Sequence, residues 1–289
     1  MEKNKIKNKS QKSEATEITE TRIKPIKGFI NIDWKELWRY RELFYFLAWR
    51  DVKVRYKQTL IGIIWAVLQP FLTMVVFSVF FGRVVGISTG KIPYPIFAFS
   101  GLLFWNYFSN SLSTASQSLI SNQTIIQKIY FPRIIIPLAS TIVFLIDFLF
   151  AAIIFAGLMI YYHFCPTLLG ILLIIPCIII TFLSFSGLGF IFSSINVKYR
   201  DVRYALPFFI QLLIFLTPVI YPTSILGKYQ WLWYLNPMSG VIETMRAGLL
   251  GVGTVNFGLF VSSILLSILL FIIGILYFKK SESFFADII

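Results

Sequence analysis

One histidine and two cysteines are all that this 289-residue chain offers as soft ligands or imidazole bases. His163 falls at the outer end of an apolar run, with no nucleophile or carboxylate near it in sequence. Cys165 and Cys177 are twelve residues apart, and Cys177 lies inside an apolar run, so they make neither a disulfide framework nor a zinc spacing. No HExxH, GxSxG or paired Cys–His arrangement occurs. The string Gly86-Ile87-Ser88-Thr89-Gly90-Lys91-Ile92 lacks the GxxxxGK(S/T) spacing of a phosphate loop. The chain is expected to hold no catalytic residue, no metal and no cofactor. Uphill work must then draw on an ion gradient or on a partner.

Charge is scarce as well. Only 13% of residues are charged, about half the soluble norm. Hydrophobic residues make up 57% of the chain and aromatic ones 18%, and the mean hydropathy is +0.77. One globule of this size cannot bury so much apolar surface, whereas a bilayer accepts it. The 26 Lys and Arg against 13 Asp and Glu give a net charge of +13, which alone would suggest nucleic acid. The distribution excludes that partner. Fifteen of the 26 precede residue 58 and the rest lie almost entirely between apolar runs, the pattern set by membrane topology and anionic lipid. Lys3, Lys5, Lys7, Lys9 and Lys12 stand among Ser, Thr and Glu with no apolar segment after them. Residues 1–32 read as a disordered cytoplasmic tail, not a signal peptide.

What is there is an ordered series of segments. Asp33-x-x-Glu36 predicts a capping box opening a helix over 33–57. Lys35, Arg39, Glu42, Phe46, Arg50, Lys53 and Lys57 step by three and four along it, with Trp34, Trp38, Tyr45, Ala48, Val52 and Tyr56 roughly opposite. This predicts an amphipathic interface helix at the cytoplasmic membrane surface; a surface helix of a soluble domain is the alternative. Six spans are predicted at 60–81, 95–120, 134–161, 168–195, 205–221 and 255–278. The fold class is thus all-α: a six-helix membrane domain over 58–280, then a short cytoplasmic tail over 281–289.

The connections set its orientation. One side carries the basic N-terminus, Lys128 and Arg133, then Lys198, Arg200 and Arg203, then Lys279 and Lys280. The other has Arg83, Lys91, Lys228 and Arg246. Both termini are therefore placed in the cytoplasm. Between the last two spans Pro218 and Pro222 break the helix, Trp231, Trp233 and Tyr234 form an aromatic belt, and 238–250 is helix-like but too short to span. Two readings stand: a re-entrant element on the outer side, or a loop on the membrane surface.

Asp147 is the only acid well inside a span. A proton relay there would make the chain a proton-coupled carrier. The plainer role is a carboxylate hydrogen-bonded to Ser, Thr or backbone of a neighbouring helix, favoured because no second buried charge accompanies it. Trp65, Phe104, Trp105, Tyr107 and Phe108 lie mid-span, where aromatic faces would let a sugar polymer slide, or would serve packing. Asn106 and Asn110, four apart, form a polar stripe facing protein or channel.

Trp49-Arg50-Asp51-Val52-Lys53-Val54-Arg55-Tyr56, followed by Leu60-Ile61-Gly62 and Trp65…Pro70, resembles the opening of ABC-2 type permeases that export cell-surface polysaccharides. The likeness continues through Lys128-Ile129-Tyr130-Phe131-Pro132-Arg133, Tyr199-Arg200-Asp201 and Thr217-Pro218-Val219-Ile220-Tyr221-Pro222. Asn236-Pro237-Met238 and Glu243…Arg246 complete it, so that it covers about 34–279.

The resemblance implies a permease subunit exporting lipid-linked O-antigen, capsule or teichoic acid across the bacterial cytoplasmic (inner) membrane. Two copies of the chain would pair with two copies of a cytosolic ABC ATPase, which holds the ATP and Mg. It implies ATPase docking on 42–57 and 121–133, by position at Glu42, Arg50, Lys128, Tyr130, Phe131, Pro132 and Arg133. It also implies an outer gate at Thr217, Pro218, Tyr221, Glu243 and Arg246. Arg50, Lys53, Arg55 and Lys57 would attract the pyrophosphate of the lipid carrier at the cytoplasmic entrance, or else anchor topology against membrane lipids. Arg200 and Asp201 read as a structural pair. Rival classes are an ABC-2 exporter of another lipid or drug, and a membrane-embedded transferase, which wants a catalytic His or acidic cluster at a membrane face.

Overall fold

Away from water a backbone must satisfy its own N–H and C=O groups, and a helix does so within a single segment. The computed structural model describes residues 34–57, 62–251 and 254–288, so the 1–32 tail and Asp33 of the capping box lie outside it. Among the described residues there are helices and no strand.

Helices α1 (Trp34–Arg39) and α2 (Arg41–Lys57) occupy the place of the expected single helix over 33–57. Tyr40 separates them, but its N–H reaches the Glu36 carbonyl at 3.2 Å and its carbonyl accepts from Phe44 N–H at 3.1 Å, so helical bonding runs through the break. The faces of α2 also differ from the two expected. Leu47 and Ala48 are buried, with Asp51, Val52, Arg55 and Tyr56 half-buried beside them. Trp38 and Tyr45 are instead exposed, together with Phe46, Trp49, Lys53 and Lys57. Protein takes one face. The other, aromatic and basic, suits a headgroup region.

The membrane domain follows as α3 (Gly62–Phe77), prolonged by the π-helical Ser78–Val84, then α4 (Tyr94–Ser121), the short α5 (Gln123–Lys128), α6 (Ile135–Tyr161) and α7 (Leu168–Lys198). It ends with α8 (Val202–Leu213), a 3₁₀ stretch Thr223–Leu235, α9 (Pro237–Leu250) and α10 (Phe257–Ile288). Among the described residues four stretches are long and apolar enough to cross a bilayer: Ile64–Val84, Ile135–Tyr161, Leu168–Lys198 and Phe257–Glu282. Helix α4 has the length, at 28 residues, but its serines, Asn106, Asn110 and Gln117 make it more polar. Much of it is buried, and it packs chiefly on α6 and α7.

Two expected boundaries move. A span was expected over 205–221, yet α8 has 12 residues, about 18 Å at 1.5 Å per residue. The chain leaves the helix after Leu213 because Pro218 cannot donate and disfavours α geometry in the residue before it. The expected tail over 281–289 is helical as far as Ile288, as the last turns of α10.

Small residues allow close crossings. Gly187 of α7 meets Gly274 of α10 so closely that a Cβ on Gly274 would lie 2.2 Å from the Gly187 carbonyl oxygen. The Ser184 and Ser267 hydroxyls share a 2.7 Å hydrogen bond at the same interface. Close backbone approach and buried hydroxyl pairs hold helices together where lipid removes the hydrophobic drive.

Candidate functional site

Where α8 unwinds, its carbonyls lose their intrahelical partners and must find others. The Phe215 carbonyl accepts from the Tyr221 hydroxyl, and that of Leu216 from Asn236 Nδ2 at 3.0 Å. The Thr217 carbonyl takes the Val219 N–H at 2.6 Å. Arg246 Nη1 donates to the Pro218 carbonyl, and Nη2 to that of Val219 at 2.6 Å. Tyr94 Oη donates to Ile220 at 2.7 Å. A whole unwound turn is capped by side chains drawn from α4, α9 and the segments between.

Arg246 is the centre of this arrangement. It is 4% exposed, donates also to Ser100 Oγ and the Phe97 carbonyl at 3.3 Å each, and lies over the Phe97 ring. Among the described residues no carboxylate lies within 4.0 Å of it; carbonyl dipoles and an aromatic face stabilise its charge instead. Glu243, expected with it, accepts from Thr223 Oγ1 at 3.2 Å. Local sequence explains why α9 presents Arg246 here. Asn236 caps the helix by accepting from Met238 N–H at 3.0 Å, Pro237 occupies the first turn, and Gly251 ends it at φ 63°. Of the expected gate set, Thr217, Pro218, Tyr221 and Arg246 converge, while Glu243 faces Thr223. An apolar cleft of about 450 Å³ adjoins them, bordered by Trp105, Phe108, Leu216, Tyr221 and Trp233.

The aromatic lining residues fall differently from expectation. Phe104, Trp105, Tyr107 and Phe108 are buried within the chain and Trp65 is exposed. Phe104 meets Phe148 at 5.1 Å and Tyr107 meets Phe185 at 5.2 Å, both edge-on. Within one chain these four rings serve packing.

The sequence predicts no charged companion for Asp147, and the structure supplies one. Arg55 Nη2 donates to its Oδ2 at 2.6 Å and the Tyr56 hydroxyl to its Oδ1. A separation of 92 positions hides the pair from any local pattern. Burial, and then the carboxylate, push the Tyr56 hydroxyl well above its ordinary pKa, so it stays a donor. A cavity of about 30 Å³ beside them is lined by Gln69, Asn106, Asn110 and Asp147, room for a water or two.

On the side of α5, Arg50 donates to Asn122 at 2.9 Å and to its neighbour Asp51 at 2.8 Å. The backbone N–H of Arg133 donates to Glu282 Oε1 at 3.3 Å and its Nη1 to the Glu282 carbonyl at 2.9 Å, under the Phe285 ring. Phe131 and Pro132 are buried, whereas Glu42, Lys128 and Tyr130 are exposed. Arg200 and Asp201, expected as a pair, make no ion pair within 4.0 Å among the described residues; the Asp201 carbonyl accepts from Tyr204 and Ala205 N–H instead. Tyr94, Asn236, Ser100 and Glu282 went unassigned from sequence. Only Asn236 had a signal, the Asn-Pro pair that opens a helix.

A sequence profile of the family described as ABC-2 type transporter matches residues 42–250, from α2 to the end of α9. The chain is 30% identical over 246 residues to the O-antigen export system permease protein RfbA of Klebsiella pneumoniae, covering 83% of this chain and 92% of that one. It is 30% identical over 218 residues to the protein of the same name from Myxococcus xanthus, 74% of this chain and 82% of that one. Polysialic acid transport protein KpsM of Escherichia coli is 22% identical over 207 residues, 68% and 77% of the two chains.

Proposed function

This chain belongs to the ABC-2 type transporter family, and from that premise we propose that it is the permease subunit of an ABC exporter of lipid-linked cell-surface polysaccharide. The observation that carries the reading is the continuous match to O-antigen export permeases, along 92% of the length of one of them. The polysialic acid transporter among the relatives supports polysaccharide as the cargo class over drugs. ATP and Mg belong, on this reading, to a separate cytosolic ATPase, present twice against two copies of this chain in the bacterial inner membrane.

Six spans follow when α4 and α8, with the unwound turn after it, are counted beside the four apolar helices. Helix α9 is the re-entrant element. Its 14 residues reach only about 21 Å, and nearly all of them are buried among other helices, the condition for non-spanning backbone at membrane depth. The basic segments put both termini in the cytoplasm. Helices α3 and α8 expose Trp65, Leu72, Val76, Phe80, Phe208 and Phe209, apolar faces suited to the seam between two copies.

The ATPase docks on α2 and the loop over 121–133, where Glu42, Lys128 and Tyr130 are exposed. ATP-driven closure pushes these elements and parts α3 and α8 along the seam. Lys53 and Lys57, both exposed, draw the carrier pyrophosphate to the entrance, while Arg50 and Arg55 hold the helix to the body. A proton relay at Asp147 is disfavoured by its arginine partner.

Coexpression with a cytosolic ABC ATPase from the same organism tests this. The two should copurify, and a lipid-linked polysaccharide should stimulate ATP hydrolysis. No association sinks the exporter. Lys53→Ala with Lys57→Ala should lower the stimulation, less so at high salt; an unchanged response removes the entrance role alone.

A further inference from the structure

Arg55 and Tyr56 are consecutive on α2, and they take the two different oxygens of one carboxylate near the middle of α6. We propose that Arg55, Tyr56 and Asp147 form a clasp that makes the interface helix and α6 move as one rigid body, delivering displacement of α2 into the membrane. The inference rests on the permease reading for the force that arrives at α2, but not for the clasp itself.

Asp147 sits in a 27-residue helix with no other charged side chain, and its own is 14% exposed. A carboxylate so placed is costly without its partner, so the pair is held together by what separation would leave behind. A single hydrogen bond would allow α2 to swivel. Two donors on opposite oxygens fix both rotation and height, and a slide of one residue, about 1.5 Å, breaks both.

The neighbouring contacts enforce the same register. The Arg55 guanidinium lies 5.0 Å from the Phe144 ring centre, one turn before Asp147, and the Tyr56 ring meets Phe150 edge-on at 6.1 Å, one turn after it. Three successive positions on one face of α6 are gripped by two residues of α2.

The clasp also reaches further helices. The small cavity beside Asp147 brings in Asn106 and Asn110 from α4 and Gln69 from α3. Amides and a water or two there give neighbouring helices polar contacts that can exchange partners as the clasped pair moves. The Arg50–Asn122 bond ties the same helix to the end of α4, where it carries no buried carboxylate. The firm grip is thus at α6 and the exchangeable ones are at α4 and α3. Arg55, Tyr56 and Asp147 are positioning residues that touch no cargo.

The test is a distance between spin labels at Trp49 on α2 and Ile153 on α6, both exposed, with Cys165 replaced by Ser because it too is exposed. In the complex, ATP with vanadate should leave the wild-type distance unchanged within about 2 Å, the scale of helix shifts at interfaces. Asp147→Ala should broaden or shift it, and export per ATP hydrolysed should fall on the order of tenfold, the scale of a lost coupling between two sites. Arg55→Asp combined with Asp147→Arg should restore both. If Asp147→Ala fails to fold, Asp147→Asn removes the charge at constant shape and should show the same change. A wild-type distance that shifts on vanadate trapping, or an Asp147 variant with unaltered distance and coupling, overturns the clasp. The same labels in the permease without ATPase report on the clasp even if no ATPase binds, which separates its failure from that of the exporter reading.

Discussion

The guanidinium of Arg246 lies 3.6 Å from the centre of the Phe97 ring, and from that position it reaches the carbonyls of both Pro218 and Val219. One side chain of α9 thereby fastens the first turn of α4 to the unwound end of α8. With no carboxylate within 4.0 Å among the described residues, this buried cation is tolerated because the unwound turn leaves carbonyl oxygens without intrahelical partners. This end of the bundle is accordingly tied by hydrogen bonds as well as by apolar packing.

Replacing Arg246 with Ala should cost on the order of 1–3 kcal/mol for each carbonyl left bare. Thermal unfolding in detergent should show a clear fall in midpoint. Arg246→Lys should recover little of it, since one ammonium cannot fork between two carbonyls while stacking on a ring. Full recovery with Lys would mean that charge alone matters.

Asn236 works at both ends of its amide. It donates to Leu216 and Thr217 while accepting from Met238 N–H. Asn236→Asp keeps the cap and loses the donors; Asn236→Ala loses both, with about 1 kcal/mol assigned to the cap alone. Hydrogen exchange at 238–241 should therefore quicken in the Ala variant and much less in the Asp variant.

The α7–α10 crossing leaves no room for a methyl group at Gly274. Gly274→Ala should destabilise by about 1–3 kcal/mol through overpacking, read as a lower unfolding midpoint. Gly157→Ala, where nothing lies within 4 Å, should be neutral or slightly stabilising. Equal effects at the two sites would remove the crossing from the account.

Arg133 braces the loop before α6 against the end of α10. Arg133→Ala should loosen that end, raising amide exchange over 280–288 with little change at 257–275. On the exporter reading, weaker association with the partner ATPase should accompany it, because the proposed docking residues Lys128 and Tyr130 sit on the loop so braced.

Much of this was legible in the residues. Apolar runs over 134–161, interrupted only by Asp147, and 168–195 became α6 and α7 with ends displaced by a few positions, since a helix satisfies a backbone in lipid within one segment. The Asn-Pro pair before 238 and the prolines after 217 marked a cap and a break, both of which depend on the chemistry of one or two residues. The faces of α1 and α2 differ from expectation for the opposite reason. Trp38 and Tyr45 look outward and Arg55 inward, and periodicity cannot tell a face that meets protein from one that meets headgroups.

The sequence by itself determined the solvent, the helical class, the topology expectation and the family, because each rests on local composition or on ordered motifs along the chain. Only the tertiary structure decided what the isolated polar residues do. Asp147 and Arg55 are 92 positions apart, Arg246 and Pro218 28. A buried charge takes as its partner whatever the packing of helices places within about 3 Å, and that distance is not written in the order of residues.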